Sequence, residues 1–131
     1  MSTQVNSPDG DCHILFVEDD EDTREMVSIV LHGEGYKVTC TTTIAEALQL
    51  AKQEKFDLYL LDSRLSDGTG VELCELIRCF DNQTPIVFYS GNAYEAEIKK
   101  ALSAGAQEYL VKPCSHDKLE ETIDKFLDDE C

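Results

Sequence analysis

The chain contains no tryptophan, three prolines, and only 11 lysines and arginines against 27 aspartates and glutamates, a formal charge of −16 over 131 residues. So small a basic complement argues against direct binding to nucleic-acid backbones or anionic lipid surfaces, because the field of the protein repels both. Long apolar runs are missing as well. No segment approaches the ~20 apolar residues of a membrane span, and "MSTQVNSPDGDC" lacks the apolar stretch of a signal peptide. Six cysteines (Cys12, Cys40, Cys74, Cys79, Cys114 and Cys131) form no C-x-x-C pair, and none has a histidine at zinc spacing, which argues against a zinc site. Free thiols in a reducing cytoplasm are expected, with Cys40 and Cys74 acting as small buried hydrophobes.

A chain of this length reads as one domain able to bury roughly two thirds of the surface exposed by its unfolded state. Residues 1–12 are polar, carry Pro8 and Gly10, and show no periodicity, so they are read as a flexible N-terminal tail ahead of a domain spanning 13–131. From His13 onward, apolar runs alternate with amphipathic stretches. "HILFV" (13–17), "YKVTC" (36–40), "FDLYLLD" (56–62), "TPIVFYS" (84–90) and "EYLV" (108–111) are short, rich in β-branched and aromatic residues, and bounded by Gly, Pro, Asp or Asn. They are predicted strands.

Helical patterns fill the intervals. In "EDTREMVSIVLHGEG", Met26, Val27, Val30 and Leu31 share one face and Gly35 is placed to end the helix; "TIAEALQLAKQ" opens with Thr43 and Glu46 at capping-box spacing. "GVELCELIRCF", "YEAEIKKALSAG" and "HDKLEETIDKFL" continue the habit, the last with Leu119, Ile123, Phe126 and Leu127 on one stripe and Ser115 as a candidate N-cap. Five strands alternating with five helices predict an α/β protein with a parallel five-stranded sheet and helices on both faces. The strand order expected at this length is the flavodoxin-like 2-1-3-4-5, a (βα)5 three-layer sandwich, in which a functional site lies beyond the carboxyl ends of the strands.

Those ends carry chemistry. Strand one runs into Glu18 and Asp19, the start of five consecutive carboxylates; strand three ends in Asp62, strand four in Ser90, and strand five in Lys112-Pro113. Three carboxylates on one rim repel each other unless a cation sits among them, and a few hard oxygen ligands suit magnesium. Asp20, Glu21 and Asp22 instead suit the first turn of the following helix, where the macrodipole favours negative charge. A metal, an aspartate, a hydroxyl and a lysine together can hold a phosphoryl group, with one carboxylate as the attacking nucleophile.

"ILFVEDDEDTREMV", "DLYLLDSRLSDGTGVELCELIR", "PIVFYSG" and "GAQEYLVKP" resemble the diagnostic segments of the response-regulator receiver domain of two-component signalling, over almost the whole span from His13 to Leu127. The resemblance implies Asp62 as phosphoacceptor, Glu18, Asp19 and Asp62 as ligands of Mg2+ together with the backbone carbonyl of Arg64, Ser90 as switch hydroxyl, Lys112 as partner of the phosphoryl group, and Tyr109 as switch aromatic. It further implies a cis Lys112-Pro113 bond. A sensor histidine kinase or histidine phosphotransfer protein would donate the phosphoryl group, and a protein target would read the fourth helix, fifth strand and fifth helix. Ser90 stands where Thr is frequent and Glu18 where Asp is frequent, while Arg64 and Asn92 occupy variable positions that influence phosphoryl lifetime in the family. No nucleic-acid contact and no enzymatic activity beyond self-phosphorylation and self-dephosphorylation are expected.

Two other classes fit the residues less well. A flavodoxin-like FMN binder needs hydroxyls and backbone donors after strand one, where this chain has carboxylates. An aspartyl-phosphate phosphatase needs an acid/base carboxylate two residues after its nucleophile, where this chain has Arg64. An EF-hand reading of "DSRLSDGTGVELCE" fails because its third, fifth and sixth positions are Arg64, Ser66 and Asp67. The expectation is a stand-alone receiver, with a receiver cut from a hybrid kinase or multidomain regulator as the alternative.

Overall fold

Alternation along the strands decides which helix packs on which face. In the computed structural model, which describes residues 12–127, the first strand, β1 (His13–Val17), is buried at every position. Ile14 and Phe16 belong to one apolar cluster and Leu15 and Val17 to the other, because successive strand side chains point to opposite faces. Each such fully buried side chain contributes about 1.5–3 kcal/mol of transfer free energy.

The remaining elements follow as α1 (Glu21–Gly33), β2 (Lys37–Thr41), α2 (Ile44–Gln53), β3 (Leu58–Leu61), α3 (Gly70–Arg78), β4 (Ile86–Ser90), α4 (Glu95–Ser103), β5 (Glu108–Val111) and α5 (His116–Leu127). Between β3 and α3 a small antiparallel ladder pairs Arg64–Leu65 with Gly68–Thr69. The five main strands are parallel in the order β2-β1-β3-β4-β5, as the alternation of patterns predicts. Val27 and Leu31 of α1 and Leu119, Ile123 and Leu127 of α5 fill one face. Ala47 and Ala51 of α2, Leu73, Cys74 and Ile77 of α3, and Ala101 of α4 fill the other.

Caps set the helix ends. Gly35, at φ 92°, follows α1, and the amides of Gly35 and Tyr36 donate back to His32 and Leu31 at 3.0 and 3.1 Å, the paired bonds that a left-handed glycine allows. At α2 the Thr43 hydroxyl accepts from the Glu46 amide at 3.1 Å, while the Glu46 carboxylate reaches Thr42 rather than closing the reciprocal bond. The complete box stands at α3, between Thr69 and Glu72. Ser115 accepts from the Lys118 amide at 3.0 Å, as its sequence position predicts.

Cysteine expectations need two corrections. Cys74 is buried, but Cys40 is exposed, because β2 is an edge strand with a neighbour on one side only; its thiol lies 3.3 Å from the Ser28 hydroxyl. Cys40, Cys74, Cys79 and Cys114 are free thiols, whereas Cys12 is disulfide-bonded. Of the expected tail, residues 1–11 lie outside the described residues; Cys12 is buried and its carbonyl accepts from the Lys37 amide at 2.9 Å. Among the described residues no helix is long and apolar enough to cross a membrane.

Candidate functional site

The parallel strands deliver their last residues to one rim. Glu18 follows β1 and is 1% exposed, with Asp19 beside it on the surface. Asp62 follows β3, Ser90 closes β4, and Lys112 follows β5. One carboxylate oxygen from each of Glu18, Asp19 and Asp62 lies within 4.8 Å of the others. Three carboxylates without a thiol or imidazole among them fit a hard divalent cation. Asp20 turns away from this group. It is the N-cap of α1, accepting from the Thr23 amide at 2.9 Å, with Glu21 and Asp22 in the first turn.

One cation of the chain itself reaches in. Lys112 Nζ lies 2.7 Å from Glu18 Oε1 and 3.7 Å from Asp62 Oδ2, and 5.2 Å above the ring centre of Tyr89. Burial pushes the Glu18 carboxyl up to about 7, against the downward pull of the Lys112 hydrogen bond. Burial lowers Lys112 in turn, but its bond to Glu18 and the charge of Asp62 outweigh that and leave it above its ordinary value. The extra methylene of Glu18, compared with Asp, lets the carboxylate span to the lysine while its other oxygen accepts from the Asp20 amide at 3.2 Å.

The loop behind Asp62 is fastened at three points. The Asp62 carboxylate accepts from the Ser63 amide at 2.7 Å, and the Gly70 amide donates to the Ser63 carbonyl at 2.9 Å. A Cβ on Gly70 would lie 2.1 Å from the Asp62 carbonyl oxygen and 2.8 Å from Phe88 Cε2, so only glycine lets α3 start this close to the strand end. The Asp67 carboxylate accepts from the Ile44 and Ala45 amides at 2.8 and 3.2 Å, tying the loop to the start of α2. Those backbone donors hold Asp67 below its ordinary value.

Five residues predicted from sequence, Glu18, Asp19, Asp62, Ser90 and Lys112, therefore share the rim. Ser90 reaches Asp62 by way of Ser63, whose hydroxyl lies 2.5 Å from its own. Arg64 opens the small ladder with an exposed side chain. Tyr109 sits one strand over, stacked on Phe88 at 5.6 Å and 5°, and donates to the Asn92 carbonyl at 2.7 Å. The Lys112-Pro113 bond is cis. Sequence reasoning gave no structural role to Ser63, Asp67 or Gly70. The available signals were faint: a hydroxyl directly after the strand-end aspartate, and a glycine in the first position of a helix.

The model of the response regulator receiver domain matches residues 14–124. The chain belongs to that family. It is 32% identical over 114 residues to the transcriptional regulatory protein ZraR of Klebsiella oxytoca, covering 87% of this chain and 26% of that protein. The receiver thus spans about a quarter of that relative. Among solved structures, a CheY-like response regulator receiver domain protein from Methanospirillum hungatei superposes with a TM-score of 0.86 at 32% identity, covering 91% of this chain and 95% of that one. The response regulator TrrA of Thermotoga maritima, solved in complex with Mg(2+)-BeF, superposes at 0.80 with 30% identity, covering 88% and 99%.

Proposed function

We propose that this receiver accepts a phosphoryl group on Asp62 from a phosphohistidine and passes the signal to a protein partner. One observation carries the reading: Asp62 lies within reach of two further carboxylates and one lysine at the common rim of four neighbouring strands. A carboxylate oxygen of Asp62 attacks phosphorus, and the imidazole of the donor leaves with its electron pair. When bound among Glu18, Asp19 and Asp62, magnesium supplies positive charge to the phosphoryl oxygens; the Arg64 backbone carbonyl is the further ligand that the family resemblance implies. Lys112, held 2.7 Å from Glu18 before phosphorylation, shifts its contact toward the phosphoryl group. Ser90 donates to a phosphoryl oxygen, and Tyr109 follows the vacated space.

The donor is a sensor histidine kinase or a histidine phosphotransfer protein. The target docks on α4, β5 and α5, the elements that Ser90 and Tyr109 adjoin. The domain is 13–131 and acts as an enzyme only on itself, in phosphorylation and in hydrolysis of its own acyl phosphate. Although the relative from Klebsiella oxytoca is a transcriptional regulator, a charge of −16 over 131 residues sets the receiver itself against touching nucleic acid directly. We place the domain in the cytoplasm, beside its phosphohistidine donor; the free thiols of Cys40, Cys74, Cys79 and Cys114 accord with a reducing compartment, and the Cys12 disulfide is the exception to it.

Acetyl phosphate with magnesium tests the assignment. Intact-mass analysis should find one added phosphate on the wild type and none on Asp62→Asn, which keeps the shape of the side chain and loses its anionic nucleophile. Phosphate on Ser63 or Ser90, or equal labelling of Asp62→Asn, overturns it.

A further inference from the structure

Ser63 follows the phosphoacceptor directly, yet its hydroxyl is engaged elsewhere. Its Oγ lies 2.5 Å from Ser90 Oγ, and the two residues are 4% and 1% exposed. The Ser90 oxygen already accepts from the Asn92 amide at 3.0 Å. The Asn92 carbonyl in turn accepts from the Tyr109 hydroxyl at 2.7 Å. An unbroken line of polar contacts therefore runs from the residue after Asp62, through Ser90 and Asn92, to Tyr109.

A hydroxyl has one proton to give. If Ser90 donates to Ser63, that proton is withheld from a phosphoryl oxygen on Asp62. If Ser63 is the donor, moving Ser90 toward the phosphoryl group strands a buried hydroxyl proton. Both arrangements oppose the movement of Ser90, because a buried polar group left without a partner is costly.

We propose that Ser63 is a positioning residue that latches the switch in its resting arrangement, holding the Ser90 hydroxyl, and through Asn92 the Tyr109 ring, until a phosphoryl group competes for it. This rests on the reading of Asp62 as phosphoacceptor. The latch sets the balance between two states; it adds no contact to the phosphoryl group. Removing the Ser63 hydroxyl takes away the resting contact and, with it, the stranded hydroxyl of the active arrangement; both changes shift the population toward the active state.

The full chain should be titrated with magnesium and beryllofluoride, followed by amide and aromatic chemical shifts, as wild type, Ser63→Ala and Ser63→Thr. Ser63→Ala should bind beryllofluoride about five-fold more tightly, the shift expected from one buried hydrogen bond lost on one side of the equilibrium. Before any ligand is added, its Asn92 amide and Tyr109 ring signals should already lie part-way toward their bound positions. Ser63→Thr keeps the hydroxyl and should titrate as the wild type does, which separates the hydrogen bond from side-chain volume. If Ser63→Ala does not fold, Ser63→Cys, with its far weaker hydrogen bond, is judged by the same criteria. Unchanged affinity overturns the latch. Weaker affinity overturns it too, and assigns the Ser63 hydroxyl to a phosphoryl oxygen instead. Wild type that binds no beryllofluoride overturns the phosphoacceptor reading and the latch with it, whereas binding by the wild type with no effect of Ser63→Ala removes the latch alone.

Discussion

The two rims of the sheet pair their polar groups in opposite ways. At the rim where the strands begin, Asp57 accepts from the His13 amide at 2.8 Å and Gln107 from the Ile86 amide at 2.7 Å. Arg78 donates to the carbonyls of Gly105 and Asp81 at 2.9 Å each. The Asp81 carboxylate takes the Thr84 hydroxyl at 2.6 Å and the amides of Gln83 and Thr84 at 3.1 Å. Burial pushes Asp81 up, but these donors outweigh it and hold the carboxyl below its ordinary value. At the rim where the strands end, three carboxylates face one lysine, and burial leaves Glu18 at about 7. Saturated polar groups hold a fold together, whereas an underpaired charge cluster stores a demand that a ligand can meet.

That contrast can be broken or sharpened by substitution. The largest effect belongs to Gly70→Ala, which should cross the divide: its Cβ meets the Asp62 carbonyl at 2.1 Å, so it should cost about 3 kcal/mol or more and also displace Asp62. Urea unfolding and acetyl-phosphate labelling should both register the change. Loss of stability with normal labelling would separate the helix start from the site.

Arg78→Ala should strike the first rim alone. Stripping the Gly105 and Asp81 carbonyls of their donor should cost about 2 kcal/mol in urea unfolding, with labelling of the folded protein unchanged. A labelling defect would show that the rims are coupled.

Magnesium should act on the other rim alone. At tenfold excess over its Kd it should stabilise the fold by about 1.4 kcal/mol through mass action, seen as a higher Tm than in chelator. Asp19→Asn should blunt the response. Identical melting curves with and without the ion would remove the metal site.

The smallest effect concerns His13, buried beside Phe56 and Thr39 at the first rim. Burial and then the charge of Lys37 lower it from 6.5, against opposing pulls from Glu54 and Asp57. The folded chain thus holds the imidazole neutral while the unfolded chain protonates, so acidification below about 6.5 favours unfolding. Wild type should lose stability relative to His13→Gln as pH falls from 7 to 5. The opposite slope would mean that Glu54 and Asp57 dominate.

Much of the site was legible before the structure. Apolar runs placed all five strands, two of them with matching ends, at 13–17 and 108–111; "YKVTC" slipped by one residue to Lys37–Thr41, since the alternation of a half-buried edge strand is weak. Glu18, Asp19, Asp62, Ser90 and Lys112 were found because strand ends in a parallel sheet converge. What stayed hidden was partner choice. Lys112 pairs most closely with Glu18 across 94 residues, and Ser63 meets Ser90 across 27; nothing local in either segment records those distances. Cys40 was misjudged for a related reason, its exposure depending on β2 having one neighbour.

By itself the sequence determined the order of elements, the apolar face of each, and which residue types arrive at the strand ends, because hydrophobic periodicity and capping act over a few residues along the chain. Only the tertiary structure decided how far each side chain stands from the next. The helical crossovers and the 2-1-3-4-5 order bring β1, β3, β4 and β5 side by side, and the length of Glu18, the missing Cβ of Gly70 and the hydroxyl of Ser63 acquire their meaning from ångström separations that exist only once the sheet has formed.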